Sequence, residues 1–518
     1  MLLVLFQFLV NGTGYAQISS KEIDLLVEEA MKKFKVAGVA VAIVKDGVIV
    51  HNKGYGVKSI ETKEKVNQHT NFAIASNTKA FTTAALSLLV DEGKLSWQDK
   101  VKDHIPEFKM YNDYVTENFN IQDLLTHRSG LGLGAGDLMF FPDGTNFTMK
   151  DVLSSFQYFE PESAFRTKFD YDNLLYFVAG EVIARVSEMS WEEFVKTRIM
   201  EPLNMDNSFS SLTQITDRSI VATPHSTETG TLRTIAHFET DPEKINGAAG
   251  AIFSNVDDLC NWMLVHLNKG KYGENLEEQL FSEANHREMW KIHTTLEANP
   301  DPRYNSHFAG YGLGWGLTDV KGNMVVSHTG GLPGMLSKTV LIPDLNLGVV
   351  VLTNTSEGGA GVFSSVSQTI IDSYLGLDDF GWTDKLYEQF KSRQSKADSV
   401  TTQVWETVKS ANDDHINVED YIGIFEDDWF GKIEVYMNDS QLWFNSYRSP
   451  KLNGPMYYYK ANAFAVKWEY QDMNADAFAI FSLDEEGKAQ SIRMKGISPN
   501  IDFSFDFQDL DLQRTEIK

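Results

Sequence analysis

The 518-residue chain is poor in cysteine, in basic charge and in long apolar runs. Cys260 is its one cysteine. An intramolecular disulfide and a cysteine metal cluster are thereby excluded. Cys260 lies in the helical-looking stretch Asp258-Leu259-Cys260-Asn261-Trp262-Met263. An inert, buried thiol is expected there. Lys and Arg number 46 against 72 Asp and Glu, a formal net charge of −26. Such a surface repels nucleic acid and anionic membranes, so neither is expected as a partner. Beyond the N-terminus no segment approaches the roughly 18 consecutive apolar residues of a membrane span. No integral membrane segment is expected in the mature chain. The motifs G-x-S-x-G and H-E-x-x-H are missing, and no metal-ligand cluster stands out. The α/β-hydrolase elbow is therefore excluded, and neither metal nor cofactor is expected.

The N-terminus carries the one long apolar run. Met1 to Val10 is almost wholly apolar and is followed by Asn11-Gly12-Thr13-Gly14-Tyr15-Ala16. The run is short for a span, and Gly14 and Ala16 suit a signal-peptidase site. Residues 1–16 are read as a signal peptide, which implies a periplasmic or secreted protein. The usual basic n-region is missing.

With 42% hydrophobic and 12% aromatic residues, the rest is a globular chain. Residues 20–34 have the spacing of an amphipathic helix. Val39–Lys45 and Val48–Val50 flank Asp46-Gly47, the signature of a tight antiparallel hairpin. Helices are predicted over 77–92, 174–187 and 191–200. A second hairpin is predicted from Lys338 to Asn354, turning at Pro343-Asp344-Leu345-Asn346. Antiparallel strands at both ends and helices between them define an α+β domain, with one sheet collecting both hairpins. Its predicted span is 18–377. A polar helical linker follows over 378–416. Residues 417–518 change texture to short strands at 8–15-residue spacing, read as a small antiparallel β-barrel. Phe503, Phe505 and Phe507 alternate with polar residues and are read as its closing strand.

Three segments carry chemistry. In Ser76-Asn77-Thr78-Lys79 a serine opens a helix, and a lysine three residues on shares its face. A lysine kept partly neutral by burial could accept the serine proton. Alone, this spacing equally fits a capping serine and a surface lysine. The second segment is Tyr171-Asp172-Asn173, ahead of a helix. Its phenol can relay protons, and its amide can hold a substrate carbonyl or the lysine. The third is His328-Thr329-Gly330-Gly331. Its glycines let a backbone N–H approach a reacting carbonyl, and with the Ser76 N–H this would form an oxyanion hole.

In that order, S-x-x-K, Y-x-N and H/K-T-G resemble the serine beta-lactamase and penicillin-binding protein superfamily, in its class C beta-lactamase and D,D-peptidase branch. Ile121–Leu131, Glu201–Met205 and Ala248–Ser254 are similar to stretches of that branch. The likeness spans about residues 20–377 and implies a sheet flanked by helices plus a helical subdomain. It implies that Ser76 is a nucleophile forming an acyl-enzyme and that Lys79 assists its deprotonation. Tyr171 would be general base or proton shuttle. Asn173, His328, Thr329, Gly330 and Gly331 would bind substrate, with Gly331 and Ser76 supplying the oxyanion N–H groups. His328 stands where beta-lactamases carry lysine, as in D,D-peptidases and related esterases. The C-terminal region resembles a lipocalin-like domain. His127 is read as structural.

The expected function is a serine hydrolase acting on small-molecule or peptide substrates, either D-amino-acid or peptidoglycan-type peptides or small carboxylic esters. The alternatives are a beta-lactamase and a non-enzymatic penicillin-binding sensor. The pocket walls are expected from 132–165 and 211–246. The sequence leaves the oligomeric state open.

Overall fold

The computed structural model describes residues 17–412 and 416–515. The signal-peptide reading of residues 1–16 lies outside the described residues. Helix α1 (Ser20–Phe34) starts at a capping box, with Ser19 and Glu22 each bonding the other's backbone N–H. It leads into the hairpin β1 (Gly38–Lys45) and β2 (Val48–Gly56). The turn residues Asp46 and Gly47 both have positive φ, 51° and 81°, as the predicted tight turn requires.

The remaining strands of this sheet lie late in the chain. They are β3 (Thr294–Leu296), β4 (Ala309–Tyr311), β5 (Gly316–Val320), β6 (Asn323–Leu332), β7 (Met335–Ile342) and β8 (Leu347–Thr353). The order is β2-β1-β8-β7-β6-β5-β4-β3, antiparallel throughout. The first hairpin thus pairs with the last, as the two hairpin signals imply, with Val41 opposite Val351.

Strands β1 and β8 are buried on both faces, which explains their nearly continuous apolar sequence. Odd-numbered Val39, Val41, Ile43, Val349 and Val351 pack toward α1 and a late helix, α5 (Ser356–Tyr374). Even-numbered Ala40, Ala42, Val44, Val350 and Leu352 face the main core. The period of two assigns each residue its side. The main core also holds α2 (Thr78–Asp91), α3 (Leu174–Ser187) and α4 (Val256–Leu267). Cys260 is buried in α4, and its thiol donates to the Val256 carbonyl at 3.2 Å.

A 29-residue helix, α6 (Trp382–Ser410), runs from the first unit to the second. Tyr387 and Phe390 near its start pack on Phe34 of α1, and Val404 near its end packs on Ala465. The second unit is a closed eight-stranded barrel, β9 (Gly423–Asp427) to β16 (Leu512–Arg514). Its interior is aromatic: Phe425, Phe444, Phe464, Trp468 and Phe481 are all buried.

One expectation fails. The segment with Phe503, Phe505 and Phe507 is not a strand. Residues 501–506 turn, and Phe507–Asp509 is a single 3-10 turn. Period-two alternation is imitated here by Asp-anchored turns. Asp502 Oδ1 accepts the Ser504 N–H at 2.9 Å, a local bond that competes with a sheet ladder. The closing strand is the short β16 instead.

The barrel docks on the 130–160 region through Phe147–Phe430, Phe159–Trp429 and Phe141–Phe505 ring contacts at 5.7, 5.1 and 5.0 Å. Arg448 bonds both carboxylate oxygens of Asp151 at 2.9 Å and stacks over Phe147. The main apolar core is continuous across this junction. A shared core predicts one cooperative unfolding transition. Phe430→Ala, which empties a fully buried ring site, should cost about 3–5 kcal/mol and keep the transition single. Calorimetry resolving two independent transitions in the unsubstituted protein would contradict the shared core.

Candidate active site

Ser76 sits in a 3-10 turn, Ala75–Asn77, that runs directly into α2. Ala75 just before it has φ of 49°, a left-handed conformation costing a residue with a side chain about 1 kcal/mol. The surrounding bonds hold that strain. Ile74 N–H donates to the Ile252 carbonyl at 2.9 Å. The Ile74 carbonyl accepts from the Ser337 hydroxyl at 2.6 Å, and Ser337 in turn accepts from the Asn77 amide at 2.8 Å. The Ser76 turn is thus tied to β7, which supplies Ser337.

Lys79 follows one turn later, and the i, i+3 spacing brings its amine back to the serine. Nζ lies 3.1 Å from Ser76 Oγ, 2.7 Å from Asn173 Oδ1 and 2.9 Å from the Ala249 carbonyl. The side chain is fully buried. Burial pushes its pKa down to about 7, although the carboxyls of Asp137 and Asp172 pull the other way. At neutral pH a large fraction of this amine is therefore uncharged.

The segment Tyr171-Asp172-Asn173 is held by its backbone. The Tyr171 carbonyl accepts from Gly134 N–H at 2.8 Å. Asp172 N–H donates to His127 Nδ1 at 3.1 Å. His127 is fully buried, and burial holds it neutral. Its bond to Asp172 gives it a structural place. The Lys79 amine lies 4.9 Å from the Tyr171 ring centre and 5.1 Å from that of Tyr176. The Tyr171 hydroxyl is buried without a well-formed hydrogen bond. Burial raises its pKa well above the ordinary phenol range, against the effect of the nearby Ser76 hydroxyl. It is a proton-bearing group at neutral pH, not a phenolate.

His328 lies on β6. Its Nδ1 is 2.6 Å from the Thr329 carbonyl, and its Nε2 is 2.8 Å from the Tyr311 hydroxyl. A carbonyl can only accept, so Nδ1 carries the hydrogen and Nε2 accepts from Tyr311. Burial, reinforced by the nearby Lys79 charge, lowers its pKa to about 4. The imidazole is neutral and offers an anion no charge.

These groups meet in a cavity of about 300 Å³. Ser76, Tyr171, Asn173, His328, Thr329 and Gly331 line it. Gly330 does not; it packs beneath, where a Cβ would fall 2.1 Å from the Ile74 carbonyl. Its missing side chain lets β6 run against the nucleophile turn. The expected loops do form walls, with Phe140 and Phe141 from one and Phe238 and Thr240 from the other. Two contributors escaped sequence reasoning. Asp137, fully buried, accepts the Asn173 amide N–H at 2.7 Å. Asp502, Phe503 and Ser504 reach in from the barrel. Both act across long sequence separations, and neither carries a local motif.

Residues 23–364 match the family described as Beta-lactamase, and the chain belongs to that family. Residues 408–514 match a domain of unknown function, DUF3471. The chain is 28% identical over 386 residues to unguisins hydrolase ungD' of Aspergillus campestris, covering 72% of this chain and 69% of that one. It is 27% identical over 340 residues to protein flp of Staphylococcus aureus, covering 65% of this chain and 63% of that one. Among solved structures, the octameric penicillin-binding protein homologue from Pyrococcus abyssi is similar with a TM-score of 0.61 at 21% identity, covering 96% of this chain and all of that one. The penicillin-binding protein from Bacillus halodurans has a TM-score of 0.54 at 22% identity, covering 66% and 98%. These structures share the fold.

The glycine pair on β6 makes a contrast that can be measured. Gly330→Ala should displace the Ile74 carbonyl and lower the melting temperature. Gly331→Ala, whose nearest new contact is a leucine methyl at 3.2 Å, should be far milder for stability. Equal melting temperatures for the two variants would contradict the packing.

Proposed function

We propose that this protein is a serine hydrolase that cleaves peptide or carboxylic ester bonds through an acyl-enzyme on Ser76. The observation that carries this reading is the buried Lys79 amine, pushed down to about 7 by burial and 3.1 Å from the Ser76 hydroxyl. The neutral amine takes the serine proton as Oγ attacks the substrate carbonyl. The Ser76 and Gly331 N–H groups receive the developing oxyanion. Tyr171, protonated and facing the same cavity, hands a proton to the leaving group and recovers one from Lys79. Water then attacks the acyl-enzyme by the same route in reverse. Membership of the beta-lactamase family and a relative whose name records a hydrolase support the reaction class.

The cavity walls favour some substrates over others. Phe140, Phe141, Phe177, Phe238 and Phe503 make it aromatic. Asp502 is its one carboxylate, and no lysine or arginine appears among the described lining residues. His328 is neutral. A substrate carboxylate finds no charged partner here, so beta-lactams and free C-terminal carboxylates fit less well than neutral or cationic apolar esters and amides. The beta-lactamase reading is therefore the weaker one. No described helix is long and apolar enough to cross a membrane. We place the activity in the periplasm or outside the cell, on the strength of the leader-like residues 1–16; mass spectrometry of the exported protein's N-terminus tests that placement.

Ser76→Ala should abolish turnover, and Lys79→Ala should lower kcat by about 10²–10⁴-fold. Retained activity in the serine variant would rule out the nucleophile. The pH profile follows from the lysine. Its active form is neutral, so kcat/KM should fall tenfold per unit below about 7 and level off above it, with no second limb near 4. A profile flat from pH 5 to 8 would contradict a lysine base. In a matched series of p-nitrophenyl esters, neutral and cationic acyl groups should outperform anionic ones by about tenfold, roughly 1.4 kcal/mol. Nitrocefin turnover matching the best ester would restore the beta-lactamase reading.

A further inference from the structure

The neutral Lys79 amine has two hydrogens and one lone pair. Two of its three neighbours, the Asn173 amide oxygen and the Ala249 carbonyl, can only accept. They take both hydrogens. The lone pair is then left for the Ser76 hydroxyl, the arrangement a general base needs. This holds only while Asn173 presents its oxygen, not its NH₂, to the lysine. The amide is nearly symmetric in shape, so something else must choose its face.

Asp137 makes that choice. Its Oδ2 accepts the Asn173 NH₂ at 2.7 Å. A flipped amide would give up the N–H bond to Asp137 Oδ2 on one side and set NH₂ against the amine on the other. Asp137 is fully buried, and burial works against its ionised form. Its support comes from the barrel. The Ser504 hydroxyl donates to the same Oδ2 at 2.8 Å, from 367 residues away. Asp506 accepts Gly136 N–H at 2.8 Å and Leu138 N–H at 2.9 Å, so it clamps the turn that carries Asp137. Gly134 has φ of 74°, and a Cβ there would fall 2.8 Å from the Phe503 carbonyl. The turn is shaped to admit the barrel segment.

We propose that the barrel segment Asp502–Asp506 is a positioning part of the active site: Ser504 and Asp506 hold Asp137, which holds the Asn173 amide face, which aims the Lys79 lone pair at Ser76. This rests on the catalytic reading of Ser76 and Lys79 given above. Ser504 and Asp137 are positioning residues. Both lie outside the chemistry and act through Asn173. The appended barrel is thereby required for kcat and is more than a neighbour of the site.

The test uses the full-length protein and an ester substrate. Ser504→Ala should lower kcat about tenfold and leave KM within twofold, because it disturbs the base and leaves the aromatic walls alone. Ser504→Thr, which keeps a hydroxyl, should recover most of the loss. Asp137→Leu should lower kcat by more than 100-fold, and adding Ser504→Ala to it should cost nothing further, since the two act as one unit. Arg448→Ala loosens the barrel away from this relay and should leave kcat within twofold. An unchanged kcat in Ser504→Ala would overturn the proposal, and so would an equal loss in Arg448→Ala or additive losses in the double variant. Ser76→Ala separates the two readings. An active serine variant removes the catalytic reading, whereas an inactive one beside a fully active Ser504→Ala removes only the relay.

Discussion

Taking one lysine amine out of water is the constraint around which this site is organised. A solvated lysine is protonated at neutral pH and cannot remove a proton from serine. Burial in α2 brings the Lys79 pKa to about 7. A bare buried amine would be costly unless its hydrogens were satisfied. The Ala249 carbonyl and the Asn173 amide oxygen satisfy them. The same two bonds that make burial tolerable also orient the amine toward Ser76.

The fold supplies those partners from distant parts of the chain. Residues 247–251 pass under the lysine and give the Ala249 carbonyl. The 171–173 segment, anchored on His127 and Gly134, gives Asn173 and Tyr171. Strand β6 slides past Ile74 because Gly330 has no side chain. The register of the central sheet is fixed for a simple reason: β1 and β8 are buried on both faces, so a slip of one residue would exchange two incompatible cores. The Ser76 turn, bonded to that sheet through Ser337, inherits its register.

Position 328 shows how one substitution alters a site without dismantling it. A lysine there would bring a cation into the cavity. The histidine is instead held neutral by burial, with its ring fixed between Tyr311 and the Thr329 carbonyl. Among the described lining residues Asp502 is the one carboxylate, five are phenylalanines and none is lysine or arginine. Ser76, Lys79, Tyr171 and Asn173 keep their mutual geometry beside this neutral imidazole.

Much of the fold was legible because its signals are local. The helix over 20–34, the Asp46-Gly47 turn, the helix after Ser76 and the two-hairpin arrangement each depend on neighbouring residues and on strand or helix periodicity. Ser76 and Lys79 could be paired for the same reason, since helical geometry alone brings residues three apart together. Tertiary structure decided the rest. Phe503, Phe505 and Phe507 have a strand's periodicity, yet Asp502 and Asp506 bond backbone N–H groups and turn the chain into the active site. Whether Lys79 is charged and whether His328 is neutral depend on burial, and the amine's acceptors Asn173 and Ala249 lie 94 and 170 residues away. Residue types and spacing determined which groups could react; desolvation and long-range hydrogen bonds, which exist only once the chain has folded, decided which of them are poised to do so.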